Sequence, residues 1–154
     1  MGKSVVIRAP LLSISGYGTH CRQLFKWLLE QQEFDSIQTQ PVPWGVTPWT
    51  MCSDDCGGLI GAVLERSYVT EEKADVSFQV QLPNEWDVSL AKFNVGMTAG
   101  VETDICNPEW ARVHLPKMDA VIVPSEHAKR AFVNTGCDPR NVHICLLYTS
   151  DAAD

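Results

Sequence analysis

Short apolar runs alternate with amphipathic helical patterns along the sequence, one of each about every 25 residues. Parallel strands joined by helical crossovers produce this alternation. The sequence therefore predicts an α/β fold: a Rossmann-like, doubly wound, mainly parallel sheet with helices on both faces, in one domain over residues 1–145. Strands are predicted over residues 3–10, 36–42, 74–83, 92–102, 118–125 and 141–145, and helices over residues 19–30, 59–69, 107–115 and 125–137.

Residues that favour helix ends set the predicted boundaries. Thr19 is predicted to be the N-cap of the first helix. Asn107 followed by Pro108 is typical of a helix start, and Ser125 is a second N-cap of this kind. Gly136 is predicted to end the last helix, because glycine readily adopts the left-handed conformation found at such ends.

The charge and the apolar runs argue against several partners and locations. The formal net charge is -7 and the basic residues form no cluster, so we expect no nucleic acid partner. No apolar run approaches the roughly 20 residues that a spanning helix needs, so we expect no transmembrane segment. The first ten residues lack the apolar core of a signal peptide, and we expect a cytoplasmic protein.

Six cysteines raise the question of a metal site. Cys52 and Cys56 are four residues apart, which is half of a zinc-binding pattern. No second pair follows at such a spacing, and the four histidines are scattered. We therefore expect no metal, and we interpret the cysteines as reduced and mostly structural.

The segment SGYG lies between the first strand and the first helix. Gly16 and Gly18 allow a ligand to approach closely, and the helix that follows offers free N–H groups to an anion or a hydroxyl-rich ligand. The segment has the first two glycines of a dinucleotide-binding fingerprint, but Cys21 stands at the third position and the preceding strand ends several residues earlier. Binding of NAD is therefore disfavoured. A turn that holds no ligand is the alternative.

Three further segments lie at predicted strand ends: LPNEWD at residues 82–87, GVETD at 100–104 and VPSEHAKRAF at 123–132. Together with SGYG, they make residues 5–145 similar to the N-terminal half of glycosyltransferases with the two-domain GT-B architecture. The order and spacing of ETD, PEW and VPSE resemble the large retaining family 4. The resemblance implies a hexosyltransferase that moves a sugar from a nucleotide-sugar donor to an acceptor, with retention at the anomeric carbon.

In this family the N-terminal domain shapes the acceptor side of a cleft, and a C-terminal domain, which we expect to be missing from this chain, holds the nucleotide sugar. The acceptor would be a sugar or a lipid-linked compound, and the resemblance implies no metal and no other cofactor. It does not assign a catalytic residue in this half. The substrate-binding residues that it implies are Gly16, Tyr17, Gly18, Thr19, Asn84, Glu85, Trp86, Glu102, Thr103, Ser125 and Glu126.

Several of these residues also have purely structural interpretations. Glu102 fits a solvated turn, and Ser125 fits an N-cap that touches no ligand. Glu126 fits a charge that interacts favourably with the helix dipole. Trp86 fits a surface turn as well as a stacking platform for a sugar ring. For the function, the alternatives are a stand-alone small-molecule binding module, half of a sugar-nucleotide epimerase, and an NAD-dependent oxidoreductase.

The end of the sequence departs from the resemblance. Residues 146–154 read LLYTSDAAD, which resembles translated adaptor sequence at the ends of assembled environmental reads. We expect this tail to be non-native and the native protein to continue into a second domain. We therefore expect the chain to be inactive when it is alone.

Overall fold

The computed structural model describes residues 2–99 and 101–146. Its core is one six-stranded sheet in which every pairing is parallel, as the sequence predicts. The expectation about the C-terminal tail, apart from Leu146, lies outside the described residues. The elements are β1 (Lys3–Ala9), α1 (Gly16–Glu30), β2 (Phe34–Pro41), α2 (Leu59–Glu65), β3 (Ala74–Val80), β4 (Ala91–Met97), β5 (Ala120–Val123), α3 (Glu126–Asn134) and β6 (Val142–Ile144).

The strand order across the sheet is β2-β1-β3-β4-β5-β6. The chain leaves β1 toward β2 on one side and later returns to place β3 on the other side. The direction of winding therefore reverses between β1 and β3. Ligands of open α/β sheets bind at such a reversal, beyond the carboxyl ends of the strands. This edge is where the structure positions a candidate site.

Helices cover both faces of the sheet, as predicted. Ile7 of β1 packs in one apolar cluster with Phe25 of α1 and Ile60 of α2. Val121 of β5 packs in a second cluster with Phe132 of α3. Ala120 and Ile122 of β5 pack against the first cluster, and Val121 and Val123 belong to the second. Successive side chains of a strand point to opposite faces of the sheet. None of the helices in the described residues is long and apolar enough to cross a membrane.

Helix α1 begins three residues earlier than the sequence predicts. Its N-cap is Ser15, not Thr19, and the Ser15 Oγ accepts a hydrogen bond of 3.1 Å from the Gly18 N–H. Gly16 and Gly18 therefore belong to the first helical turn and form no loop. The prediction of Thr19 as the cap was wrong because two glycines in four residues are typical of a turn, whereas here Gly18 is required by a close contact with Ser13.

The predicted helix over residues 107–115 is present in a different form. It is a π-helix at Trp110–His114 followed by a 3-10 turn at Leu115–Lys117. The Leu115 N–H donates to the Trp110 carbonyl, five residues back. Pro116 has no N–H to donate, so a regular α-helical pattern cannot continue through it. The predicted caps of α3 are confirmed: the Ser125 Oγ accepts from the Ala128 N–H, and Gly136 follows the helix with φ +113°.

Asp75 ties the amino ends of three neighbouring strands together. Its carboxylate accepts hydrogen bonds from the Lys92 Nζ at 2.7 Å and the Ser4 N–H at 2.9 Å. These bonds, the one from Lys92 first, lower the pKa of Asp75 to about 2. The unfolded carboxyl has a pKa of about 3.9, so the stabilisation is fully present above that value and is lost as the pH falls toward 2.

We expect Asp75→Asn to lower the stability at pH 7 and to make it less dependent on pH between about 5 and 2. Urea unfolding midpoints of both proteins across that range measure the effect. The exposed Asp54→Asn, which changes the charge equally, is the control. Parallel pH curves for Asp75→Asn and the unsubstituted protein would contradict the role given to Asp75.

Candidate functional site

Two neighbouring pockets lie at the carboxyl edge of the sheet. The tyrosine pocket lies between the first turns of α1 and the ends of β3, β4 and β5, and Tyr17, His20 and Thr98 supply its polar groups. The tryptophan pocket is more open, has a volume of about 380 Å³, and includes Trp110 and Glu102 in its wall. The segment that follows β4 contributes to both pockets, so the two belong to one region of the surface.

Two contacts hold the Tyr17 side chain in place, one with its ring and one with its hydroxyl. The ring stacks on the indole of Trp44, with centroids 3.9 Å apart and an angle of 24° between the planes. Its Oη accepts a 3.2 Å hydrogen bond from the Ala99 N–H, just beyond β4. Burial raises the pKa of the Tyr17 hydroxyl, so its proton stays available for donation at neutral pH. Tyr17 therefore joins α1, the segment after β2 and the end of β4.

The first turn of α1 rests on a network of hydroxyls and carbonyls. The Ser13 Oγ lies 2.8 Å from the Ser15 Oγ and 2.6 Å from the Thr47 Oγ1. Arg22 donates from Nη1 to the carbonyls of Leu11 and Ser13, at 3.0 and 2.9 Å. The Arg22 guanidinium is thus committed to the protein's own backbone.

The predicted ligand residues of this turn have unequal access to solvent. Gly16 is exposed at the start of α1, whereas Gly18 is buried against Ser13. The Thr19 hydroxyl donates to the Ser15 carbonyl at 3.2 Å. Gly16 is therefore the predicted residue of this turn at which the backbone is open to a ligand.

Thr98 is a polar residue of the tyrosine pocket that the sequence analysis did not single out, and His20, two residues after SGYG, is a second polar residue there. Burial lowers the pKa of His20, so its imidazole is neutral at pH 7. Thr98 is only 4% exposed, and its Oγ1 has no hydrogen-bond partner among the described residues. A signal for Thr98 was present in the sequence, since a hydroxyl residue directly follows an apolar strand that ends at the ligand-binding edge.

The tryptophan pocket gathers predicted residues from two separate segments. The π-helix presents the Trp110 indole, whose Nε1–H donates a 3.0 Å hydrogen bond to the Asn84 Oδ1. Glu102 and Thr103 lie in the wall beside it. The Thr103 hydroxyl is 2.5 Å from the Ile105 carbonyl and bonds to it, which fixes the turn after Glu102. Asn84, Glu102 and Thr103 thus come together around an indole that is partly exposed.

Glu85 and Trp86 have structural contacts in the segment after β3. The Glu85 carboxylate accepts from the Leu82 N–H at 3.0 Å. The Trp86 ring lies on β4 over Gly96, so close that a Cβ there would be 2.7 Å from the ring. Its Nε1 is buried without a partner among the described residues. These contacts fit the surface-turn interpretation for Glu85, whereas the Trp86 ring packs against the sheet and the second core cluster.

The start of α3 lies next to the tyrosine pocket. Pro124 lines that pocket and immediately precedes the N-cap Ser125. The Ser125 Oγ is 3.1 Å from the Ala128 N and accepts its hydrogen bond, as expected of an N-cap. Glu126 is exposed in the first turn of α3. The structure thus brings both residues to the predicted edge and gives Ser125 a capping role.

Comparisons with protein-family models, with curated proteins and with solved structures find no match to this chain. Within residues 2–99 and 101–146, no three His, Cys, Asp or Glu side chains are grouped as a metal site would require. Cys52 and Cys56, the sequence's half of a zinc pattern, are exposed thiols. The groups at the carboxyl edge are therefore the features of the molecule that bear on function.

Proposed function

We propose that this chain is the acceptor-side half of a retaining glycosyltransferase of GT-B architecture, which transfers a hexose from a nucleotide-sugar donor to an acceptor. The tryptophan pocket is the observation that carries the proposal. A sugar presents an apolar C–H face and a rim of hydroxyls. An indole face accepts the first by stacking, and carboxylate, amide and hydroxyl groups bind the second. Trp110, Glu102 and Thr103 line the pocket, and Asn84 bonds to the indole, at the edge where ligands of α/β sheets bind.

Each residue has a role under this proposal. The Trp110 face stacks on the acceptor sugar, and the hydrogen bond to Asn84 holds the indole at a fixed tilt. The Glu102 carboxylate accepts a hydrogen bond from an acceptor hydroxyl, because an ionised carboxylate has only acceptors to offer. These residues bind and orient the acceptor. The sugar is transferred where the acceptor meets the donor.

The charge of the edge favours the acceptor over the donor. None of the described residues that line the tyrosine or tryptophan pocket is a lysine or an arginine. A diphosphate needs such cations or several free N–H groups. The donor is therefore assigned to a second domain outside this chain. In the transfer step an acceptor hydroxyl oxygen forms a bond to the anomeric carbon. The bond from that carbon to the diphosphate breaks, its electron pair stays on the departing diphosphate oxygen, and that oxygen takes the hydroxyl proton.

The location and the acceptor belong to the same proposal. We propose that the protein is cytoplasmic, where it would meet the nucleotide-sugar donor. The proposed acceptor is a free or a lipid-linked sugar. The open form of the tryptophan pocket suits the end of a longer acceptor as well as a monosaccharide.

Chemical-shift mapping of the ¹⁵N-labelled chain with a panel of neutral methyl hexosides tests the proposal. We expect shifts at the Trp110 indole N–H and at Glu102 and Thr103. Trp110→Ala is expected to weaken binding about 10-fold or more, since stacking and packing are both lost. Trp110→Phe, which keeps a ring, and Trp27→Ala, which removes an exposed indole elsewhere, are the controls. An effect of Trp27→Ala equal to that of Trp110→Ala would contradict the site.

The proposal also predicts what the chain cannot do. The 154 residues are expected to transfer no sugar from any nucleotide donor, because the proposal gives donor binding to a separate domain. Release of nucleoside diphosphate over time, with a hexoside acceptor present, measures this. Turnover would contradict the proposal. Micromolar binding of a hexoside to the chain alone would instead favour the stand-alone binding module.

A further inference from the structure

The tyrosine pocket contains a buried hydroxyl that the fold does not use. Thr98 lies one residue beyond β4, is 4% exposed, and its Oγ1 has no partner among the described residues. Its backbone N–H donates to the Ile122 carbonyl at 3.2 Å, so the position of the residue is fixed by the sheet. A buried hydroxyl without a partner destabilises a fold, and such groups in native proteins call for an explanation.

Other buried threonines in this chain show the usual arrangement. Thr135 is 8% exposed; its Oγ1 donates to the Ala131 carbonyl at 2.7 Å and accepts from the Cys106 N–H at 3.0 Å. Thr39 is also buried and donates to the Val63 carbonyl at 2.7 Å. Buried side-chain atoms without a partner among the described residues are Arg8 Nε, Gln81 Oε1, Trp86 Nε1 and Thr98 Oγ1. Thr98 is the one of these residues that lines the tyrosine pocket.

The remaining groups of the tyrosine pocket determine what it would bind. Val80, Met97 and Ile122 give it apolar walls, and its volume of about 20 Å³ is enough for one hydroxyl-sized group. Met97 and Ile122 also line an adjoining apolar groove of about 350 Å³, which includes Leu24 and Phe78. The polar groups beside Thr98 are the Tyr17 hydroxyl, whose proton is free to be donated, and the neutral imidazole of His20. These groups are uncharged, and the nearby Arg22 is bonded to the carbonyls of Leu11 and Ser13. A phosphate placed here would lose its hydration without gaining a cation.

We propose that the tyrosine pocket receives a hydroxyl at the neutral, apolar end of the acceptor, that the alkyl or aryl group bearing it lies in the adjoining groove, and that Thr98 selects this end by hydrogen bonding to the hydroxyl. This inference rests on the proposed transferase function. It assigns the first turn of α1 to the acceptor, and it adds a specificity-determining residue that the family resemblance did not supply.

Thr98→Val separates a ligand-binding hydroxyl from a structural one. Valine has the same shape and lacks the hydroxyl, so the substitution removes the unpaired group. We expect the thermal unfolding midpoint to rise by about 2–4 °C. Thr135→Val, the matched control, removes a hydroxyl that makes two hydrogen bonds and is expected to lower the midpoint. A fall for Thr98→Val like that of Thr135→Val would overturn the inference.

Binding of cyclohexanol, a neutral hydroxyl on an apolar body, is measured at the Thr98 and Ala99 amides by ¹⁵N chemical shifts. We expect saturable shifts, and we expect Thr98→Val to weaken binding about 2- to 10-fold. Cyclohexyl phosphate is expected to leave both amides unchanged. Absence of shifts with cyclohexanol, equal binding by Thr98→Val, or stronger binding of the phosphate would each overturn the inference.

These outcomes are independent of the test of the proposed function. Hexoside binding is measured at the Trp110 indole in the tryptophan pocket, whereas cyclohexanol binding is measured at the tyrosine pocket. If cyclohexanol does not bind near Thr98 but hexosides bind at Trp110, the proposed apolar end of the acceptor is rejected. The transferase proposal then remains in place. Failure at Trp110 removes the transferase proposal whatever Thr98 does.

Discussion

Gly18→Ala is expected to destabilise the protein by about 1–3 kcal/mol or more, the range found when a methyl group is forced into a filled space. A Cβ at this position would lie 1.9 Å from the Ser13 carbonyl oxygen, which is inside van der Waals contact. The same oxygen accepts from Arg22 at 2.9 Å, so it cannot move away without breaking that bond. The first turn of α1 would have to shift and carry Tyr17 with it.

Gly16→Ala is the matched control, two residues away in the same helical turn. A Cβ there would meet no atom within 4 Å. Alanine restricts the unfolded chain more than glycine, so we expect Gly16→Ala to raise stability by about 0.4–1 kcal/mol. Urea unfolding of the two variants and the parent protein measures both effects. A Gly18→Ala variant as stable as Gly16→Ala would mean that α1 does not approach Ser13 in this way.

The sheet could be predicted from the sequence because each strand carries its own apolar run. Strands were predicted correctly where the sequence has such an apolar run, at residues 3–10, 74–83 and 118–125. Ser125 and Gly136 fixed the ends of α3 for the same reason, since capping depends on the residue and its immediate neighbours. Local patterns were sufficient wherever local interactions determine the structure.

Elements that the sequence analysis missed depend on specific contacts between nearby residues, which residue preferences alone do not reveal. Two glycines look like a turn, but Gly18 serves a contact with Ser13, five residues earlier in the chain. The capping residues Asn107 and Pro108 correctly indicated a helix start, whereas the π-helix depends on the later Pro116. The predicted end of α1 at Glu30 was correct, because the apolar positions that define this helix lie close together in the sequence.

The sequence predicted which edge of the sheet holds the candidate site. It did not predict which side chains contact one another there. Parallel strands bring the segments after them to one edge, so Glu102 and Ser125 could be assigned to it from their sequence positions. The hydrogen bond from Trp110 to Asn84 joins residues 26 positions apart. Tyr17 and Ala99 are 82 positions apart. No period or motif in the sequence specifies such pairs.

Asn94→Leu is expected to lower the free energy of unfolding by roughly 2–5 kcal/mol, because it leaves two buried donors without an acceptor. The Asn94 Oδ1 accepts from the Ser77 hydroxyl at 2.8 Å and from the Ala91 N–H at 3.1 Å. Its Nδ2 donates to the Val88 carbonyl at 2.9 Å. Leucine fills the space and makes none of these bonds, and a typical domain has only about 5–15 kcal/mol in total.

The reason for this buried polar group lies in the connection between β3 and β4. Parallel neighbours usually need a crossover of a dozen or more residues, most often a helix that satisfies its own backbone. Here the connection contains only a 3-10 turn at Pro83–Glu85, so side chains from the sheet bond its backbone instead. Gln79 does the same as Asn94: its Nε2 donates to the Asp87 carbonyl at 2.8 Å, and its Oε1 accepts from the Asp87 N–H at 2.7 Å.

Asn134→Ala is the control, because Asn134 is exposed and its side chain makes one hydrogen bond, to the Asp104 carbonyl at 3.0 Å. We expect it to change stability by about 0.5 kcal/mol or less. Urea unfolding measures both variants, and the Trp110 indole N–H reports on the site. Since Asn84 belongs to the connection that Asn94 holds, Asn94→Leu is expected to shift that resonance as well. An unchanged resonance in a destabilised Asn94→Leu protein would mean that Asn84 is positioned by Trp110 and not by the sheet.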